Sequence, residues 1–592
     1  MTIRDMFDAA VAEAPSSVMQ RYHDGKDWTA RTYAEARSRV GKAAALVRRS
    51  MGDAGVKDAA MSGETGLDVG RRAAIMMENS PDWVILYLAL AGSGFTVVPV
   101  DPKLRAGEVR HILSDSGAQA VFCGERQAEV VDEVLADLPS LVKVVNPSAL
   151  IDGIPEKDAE EASRWYDANR PGDNTLASLI YTSGTTGRPK GAMLTHSNFV
   201  ENVMGTIDRV KFYPTDSFIN VLPLFHAFSF MGNFLLPMAV KGETSFIRTL
   251  RTIADDMLAV KPTILLSVPL LAEKLYARID AQIRKSVLTK GLFKVEFARK
   301  YMARKIVERF GGRMRLIGIG GAPTSIETLE GFRKIGLFVL EGYGITECAP
   351  GVAYPEPSAF VAGTVGPVLS NMQWKVIGKD EHGAGELCVK GPNVMKGYWR
   401  KPEQTAAAFD EEGYYKTGDI VKIDANGNVK ICGRTKALIV NREGKNIYPE
   451  EIERALEHAP LIKDAIVLGY KVGSDPGEHV GAIIVPDEDA IRLHFKGETL
   501  TREDMAAFIT EYAQGVCRAA VADYKQPRKF DVRFDPLERT GTMKVRRVVY
   551  AGQLDETPPP KRERDESLSL KSLKDTIKLP SNISLEVPEG GE

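Results

Sequence analysis

The chain has 592 residues, 44% hydrophobic and 26% charged, and its 77 basic against 79 acidic residues leave a net charge of −2. That balance is typical of a globular protein of several folding units and gives no case for nucleic acid as the main partner. The five cysteines (Cys123, Cys348, Cys388, Cys432 and Cys517) form no CxxC pair and the eight histidines show no HExxH or HxxxH spacing. This argues against a disulfide framework and a zinc site and suits a reducing compartment.

In chain order, the opening MTIRDMFDAAVAEAP lacks the apolar core of a signal peptide, so a cytoplasmic protein is expected. Residues 83–100 carry no charge over eighteen positions, enough to raise a membrane span, but Gly92-Ser93-Gly94 and Pro99 interrupt them. A buried helix, a tight turn and a strand at 95–100 are expected instead. Apolar β-rich runs at 73–77, 96–100, 119–123, 141–145, 218–222, 263–268 and 314–319 alternate with helical periodicity, as at 106–116 and 253–260. That alternation predicts α/β units with mostly parallel sheets. Between 278 and 315, twelve Lys/Arg stand against three Asp/Glu, with Phe293, Phe297 and Tyr301 recurring every four residues as on a helix. Peripheral contact of this stretch with anionic membrane is expected, against the plainer reading of a solvated amphipathic helix.

From about 375 the pattern changes to short strands at 374–377, 385–390, 421–423 and 428–432, with a hairpin turn at Asp424-Ala-Asn-Gly427. A boundary at 433/434 divides a large domain, 1–433, from a small α+β domain, 434–552. The small domain has helices at 449–458 and 502–516 and strands at 464–470 and 480–486. Residues 551–592 hold no aromatic residue, five prolines and mixed charges, predicting a disordered tail over 553–592.

Chemistry enters at residues 181–191, YTSGTTGRPKG, just after an apolar strand at 176–180. Glycines there let backbone N–H groups and hydroxyls converge on phosphate oxygens, and Lys190 supplies a point charge. The string lacks the Walker order, because Lys190 sits between Pro189 and Gly191. Downstream follow Gly320-Gly321-Ala322-Pro323, Glu341-Gly-Tyr-Gly-Ile-Thr-Glu347, Tyr415-Lys-Thr-Gly-Asp419, Gly433-Arg434-Thr-Lys436 and Arg539-Thr-Gly-Thr-Met-Lys544. None matches GxGxxG, which argues against a nicotinamide or flavin enzyme.

In this order the motifs resemble the AMP-forming acyl-activating enzymes from about residue 15 to 550, while Lys261-Pro-Thr-Ile-Leu-Leu-Ser-Val-Pro269, the basic stretch ending Phe310-Gly-Gly-Arg313 and Gly391-Pro-Asn-Val-Met-Lys-Gly-Tyr-Trp399 look most like the long-chain fatty acyl-CoA synthetases. The resemblance implies that ATP activates a fatty acid to acyl-AMP, which coenzyme A then takes up, with Mg²⁺ and without haem, flavin or zinc. It implies an ATP site of Thr182, Ser183, Gly184, Thr185, Thr186, Gly187 and Lys190 at the phosphates. Gly321, Ala322 and Pro323 would wall the adenine and Tyr343 would lie along it, while Gly342 and Gly344 leave room for the nucleotide. Thr346 would bond the α-phosphate, Glu347 would hold Mg²⁺, Asp419 would accept the ribose hydroxyls, and Arg434 would reach the ribose. Lys544 would clasp the carboxylate and the bridging oxygens, and His226 would stand at the carboxylate end of an acyl tunnel walled by 227–236. Two departures are Ala437, where the family has Asp or Lys at its hinge, and Met543, where glycine usually precedes the lysine. Open alternatives are a ligase for another acid or for a carrier-protein thiol, and a non-catalytic nucleotide- or lipid-binding relative.

Overall fold

A computed structural model describes residues 1–52, 56–182, 188–284, 296–442, 445–473, 477–495, 500–539 and 545–556, with backbone alone for 282–284 and 296–302. A seven-stranded sheet runs in the order Phe338–Glu341, Leu316–Ile319, Ile264–Ser267, Ser217–Asn220, Glu243–Phe246, Val18–His23 and Trp28–Thr32. Every pairing is parallel except the last. A six-stranded sheet runs Val142–Val145, Ala120–Cys123, Arg72–Met76, Thr96–Pro99, Leu176–Thr182 and Lys190–Thr195. It too is parallel up to a closing antiparallel pair.

The inner strands Ala120–Cys123, Arg72–Met76 and Thr96–Pro99 of the six-stranded sheet are buried along their whole length because both faces are covered. In Arg72–Met76, Ala73 and Ile75 enter the core shared with the seven-stranded sheet. Ala74 and Met76 enter a second core with Val109, Ile112 and Leu113 of helix Ala106–Ser116. Period-two alternation therefore sorts side chains between two cores rather than between core and water. The uncharged stretch 83–100 becomes helix Pro81–Gly92, capped by Ser80 and buried from Asp82 to Gly92, a turn with Gly94 at φ +86°, and strand Thr96–Pro99. No described helix is long and apolar enough to cross a membrane.

The β-rich region is a four-stranded antiparallel sheet of Gln373–Ile377, Gly385–Lys390, Tyr415–Ile423 and Val429–Arg434. The hairpin turn lies where expected, with Gly427 N–H donating to the Asp424 carbonyl. The third strand starts at Tyr415, six residues before the expected 421, so the Tyr-Lys-Thr-Gly-Asp motif is inside the sheet. Beyond it, strands Ile462–Tyr470, His479–Pro486 and Lys529–Val532 form a three-stranded sheet with helices Pro449–Glu457 and Arg502–Ala520. Apolar burial is also divided here: one cluster runs from Ile3 to Val429, and a separate one from Ile439 to Val521.

The expected tail starts too early at 553. Leu554 is 2% exposed, its carbonyl accepts from Lys529 Nζ at 2.9 Å, and Glu556 N–H donates to the Lys471 carbonyl at 2.9 Å. One leucine in a pocket beside Tyr470 and Gly481 suffices to dock a segment that composition alone marks as polar. Residues 557–592 lie outside the described residues. A chain ending at Glu556 should melt like the full chain. One ending at Gly552 should lose about 2–4 kcal/mol, the cost of emptying a buried leucine site; equal calorimetric unfolding of the two would refute the docking.

Candidate active site

The motif-bearing loops converge because parallel strands all deliver their carboxyl ends to one edge of the sheet. Strand Ser217–Asn220 leads to His226, Leu316–Ile319 to Gly320–Pro323, and Phe338–Glu341 to Gly342–Glu347. From the other sheet, Leu176–Thr182 and Lys190–Thr195 form a hairpin with Thr182 opposite Lys190. This hairpin closes the base of the loop holding Ser183, Gly184, Thr185, Thr186 and Gly187, which lie outside the described residues. Asp115 secures the surroundings, accepting from Tyr181 Oη at 2.8 Å and pairing with Lys401 at 2.8 Å.

Glu347 sits in the 3₁₀ turn Thr346–Cys348. Asn202 and Asn393 clamp that turn by donating to the Gly351 carbonyl at 2.8 and 2.9 Å, and Asn393 also reaches the Cys348 carbonyl at 3.0 Å. Glu347 Oε1 accepts a hydrogen bond from Tyr398 Oη at 2.9 Å, and Tyr415 Oη stands 3.3 Å from the same phenol. Burial, then the Glu347 charge, pushes both phenols well above their usual range, so they stay protonated. The Lys190 ammonium lies 4.6 Å over the Tyr398 ring, and its pKa is lowered by burial and by the nearby charge of Lys436.

Asp419 is 2% exposed. Its Oδ2 accepts from Tyr343 Oη at 2.5 Å and its Oδ1 pairs with Arg434 Nε at 3.0 Å. Asp419 and Arg434 are directly opposed on neighbouring antiparallel strands, and Gly418, at φ +72°, supplies a left-handed residue beside the aspartate. An ionised carboxylate has about four acceptor positions, so two partners leave capacity for the hydroxyls of a ribose. Packing also requires glycine at 342 and 344. A Cβ on Gly342 would come 2.7 Å from the Tyr354 ring, and one on Gly344 2.6 Å from the Pro350 carbonyl.

Gly321, Ala322 and Pro323 are exposed, with Gly321 at φ +91°. Their loop is tied at its far end by Glu341 Oε1, which accepts from Thr324 N–H at 2.7 Å, and by Glu273, which accepts from Ser325 N–H at 3.2 Å. Burial pushes the Glu341 carboxyl up to about 7 from 4.5, the Thr324 N–H and the charge of Arg454 opposing and that of Glu273 adding. The folded form thus holds a proton that the unfolded chain has lost, and stability falls as pH rises from about 4.5 to 7, then levels off. Glu341→Gln keeps the accepting oxygen. Its stability relative to the wild type should therefore gain on the order of 3 kcal/mol between pH 4.5 and 8; denaturant unfolding at both pH values would refute this if the difference stays constant.

His226 caps helix Ala227–Phe230, which continues through a π-helical turn, Met231–Leu235, into Leu236–Ala239. Phe228 reaches Gly320, where a Cβ would lie 3.4 Å from its ring, so His226 and the Gly320–Pro323 loop share one end of the sheet. The expected tunnel wall is buried, with Phe230 packed on Tyr87 at 4.6 Å and Phe199 at 4.9 Å between ring centres. Gly232 is required by Leu266, whose Cδ1 would lie 2.2 Å from a Cβ there.

The structure thus brings together Lys190, Glu347, Tyr343, Asp419 and Arg434, with Thr346 and the Gly321–Pro323 loop beside them. Met543, Lys544 and Gly444 lie outside the described residues, and Ala437 closes the 3₁₀ turn Thr435–Ala437. Sequence reading missed Tyr398, Tyr415, Glu341 and Lys436 as members of the site. All four lie in or next to strings that carry the resemblance, and that adjacency was the only signal available.

A family model described as AMP-binding enzyme matches residues 7–399. The chain belongs to the AMP-binding enzyme family. Among its relatives is the long-chain-fatty-acid--CoA ligase FadD15 of Mycobacterium bovis, 33% identical, with 90% of this chain and 92% of the relative covered. The long-chain-fatty-acid--CoA ligase 5 of Rattus norvegicus is 29% identical over 81% of this chain and 78% of its own. Among solved structures, ATP-bound MatB from Rhodopseudomonas palustris superposes with a TM-score of 0.70 at 27% identity, covering 93% of this chain and 98% of that one. The o-succinylbenzoate CoA synthetase of Bacillus subtilis, with its acyl-adenylate bound, shares the fold at a TM-score of 0.71 and 22% identity, over 92% and 97% of the two chains. Among the described residues no three His, Cys, Asp or Glu side chains cluster as a metal cage.

Proposed function

We propose that this member of the AMP-binding enzyme family is an AMP-forming acid–thiol ligase that activates long-chain fatty acids with ATP and transfers them to coenzyme A. The observation that carries the reading is two neighbouring polar groups, one around Glu347 and one around Asp419, with Arg434 within reach of both charges. Lys190 and Glu347 meet through Tyr398 where phosphates would lie, and Asp419 with Arg434 and Tyr343 meets where a ribose would lie. Near-complete mutual coverage with a long-chain ligase favours fatty acids over the other acids that the fold accepts.

In the first half-reaction a carboxylate oxygen bonds the α-phosphorus as the bond to pyrophosphate breaks; in the second the thiolate sulfur bonds the acyl carbon and AMP leaves. The barrier of the first step is repulsion between anions, which fixed cations and oriented donors lower. Lys190 would offset phosphate charge, Thr346 would donate to the α-phosphate, and His226 would face the acid. Asp419 and Arg434 would anchor the ribose beside Tyr343. A single carboxylate suits Mg²⁺, which takes one or two carboxylates and completes its shell with phosphate oxygens and water. Glu347 would hold it, and bound there it would supply further charge neutralisation.

The division of apolar burial between Val429 and Ile439 supports a hinge near 433/434, with 434–552 swinging to exchange Lys544 for the loop at Lys445. At the mouth of the acyl site, exposed Arg304, Lys305, Arg309 and Arg313 would draw the enzyme to anionic lipid. Equal sedimentation with neutral and anionic vesicles at low salt would count against that contact. The function is tested by pyrophosphate release with fatty acids of increasing length, with and without coenzyme A. Long-chain substrates should give free acyl-CoA; no response to any aliphatic acid would refute the reading, and acyl transfer only to a carrier protein would replace its acceptor.

A further inference from the structure

We propose that Tyr398 is a positioning residue that couples the phosphate-binding lysine to the metal-binding carboxylate, its ring holding Lys190 and its hydroxyl holding Glu347. The inference rests on the ATP-dependent reading above. Tyr398 is delivered to this place by backbone pairing: Met193 N–H donates to the Gly397 carbonyl at 2.9 Å and Trp399 N–H to the Gly191 carbonyl at 2.8 Å. Segment 397–399 is thereby laid along strand Lys190–Thr195, with Ala192 bridged to Tyr398. The same segment touches the turn of Glu347, whose backbone carbonyl accepts from Met395 N–H at 2.8 Å. One short stretch therefore registers the lysine strand against the glutamate turn, and Tyr398 is the side chain between them.

Each contact restrains a group that is otherwise loose. The last torsion of a glutamate is broad and roughly two-fold, so an unsupported carboxylate turns freely. A hydrogen bond from Tyr398 Oη to Oε1 at 2.9 Å fixes that plane and leaves Oε2 for a cation. The phenol has one proton, given to Glu347, and accepts from Tyr415 Oη at 3.3 Å, which fixes the direction of the donation. Lysine is a point charge on a flexible four-carbon stem, and the face of an aromatic ring attracts it without consuming its donors. With Lys190 Nζ 4.6 Å above the ring, all three N–H groups stay available to phosphate oxygens. Supporting contacts of this kind commonly change metal affinity 10–100-fold when removed.

The two contacts are separable by substitution. Tyr398→Phe deletes the hydroxyl and keeps the ring, and Tyr398→Leu deletes both. Mn²⁺ binding to the full-length protein with a non-hydrolysable ATP analogue, followed by the electron paramagnetic resonance of free Mn²⁺, reads the carboxylate without any turnover. Tyr398→Phe should weaken Mn²⁺ by about tenfold and raise the Mg²⁺ needed for half-maximal pyrophosphate release by the same factor, with a smaller fall in kcat at saturating Mg²⁺. Its affinity for the analogue without metal should stay at the wild-type value, whereas that of Tyr398→Leu should fall several-fold. Unchanged Mn²⁺ binding in Tyr398→Phe, or equal losses of metal-free analogue binding in both variants, would overturn the proposal. Matching melting temperatures for Tyr398→Phe and the wild type separate positioning from collapse. The titration needs no acid substrate, so failure to activate fatty acids would refute the proposed function and leave this measurement to decide on Tyr398.

Discussion

Replacing Asp419 with Asn should raise the KM for ATP by about a hundredfold, some 2.8 kcal/mol of binding, while the protein remains folded. The carboxylate is 2% exposed and both its oxygens are engaged, by Tyr343 Oη at 2.5 Å and Arg434 Nε at 3.0 Å. An amide of the same shape turns one acceptor into a donor. If its NH₂ faces Arg434, two donors oppose each other; if it faces Tyr343, the phenol must rotate away, and in either case the acceptors proposed for the ribose are halved. A buried polar site left mismatched discriminates far more strongly than a missing apolar contact. The fold should tolerate the change, because the Arg434 side chain is 43% exposed and water can take the place of the lost acceptor. Direct titration of ATP into the variant checks this, and wild-type affinity would remove Asp419 from the ribose site.

Lys544→Ala should abolish formation of acyl-adenylate, by about 10²–10³-fold or more, yet still convert a supplied acyl-adenylate to acyl-CoA. The expectation rests on the Arg539-Thr-Gly-Thr-Met-Lys544 string and on the swing of 434–552 proposed above. A cation between the incoming carboxylate and the α-phosphate matters only while two anions approach each other, not when a thiol displaces AMP. On either side of Lys544, Arg539 and Val545 pair as an antiparallel bridge, and Arg539 is ion-paired with Asp464. The described residues that flank Lys544 are therefore tied to each other and, through Asp464, to strand Ile462–Tyr470 of the small domain. Equal loss of both half-reactions would mean that Lys544 serves the thioester step as well. Ala437 offers no polar side chain to hold the hinge in either orientation, and Met543 narrows the backbone freedom beside the lysine. Neither removes a chemical group from the adenylation site.

Much of the fold was legible because apolar periodicity reports covered faces directly. The runs at 73–77, 96–100, 119–123 and 218–222 all became parallel strands within a residue or two, and 83–100 resolved into helix, turn and strand as its glycines required. Boundaries were missed where one side chain outweighs composition. Leu554 docks the first part of a tail that looks disordered, and the Tyr415–Asp419 motif extends a strand that glycine and threonine made look like a turn.

By itself the sequence determined the α/β class, the order of the motifs and the types of group available for phosphate, ribose and carboxylate, because these depend on local pattern and on the chemistry of single residues. Only the tertiary structure decided how those groups meet. Tyr398 joins Lys190 to Glu347, Tyr343 and Arg434 share Asp419, and Gly342 and Gly344 are small for the sake of Tyr354 and Pro350. The proton affinity of Glu341 is of the same kind, set by burial among residues from other elements. The physical reason is range: periodicity acts over a few neighbouring residues, whereas contacts, desolvation and charge act through space between segments that the chain brings together only on folding.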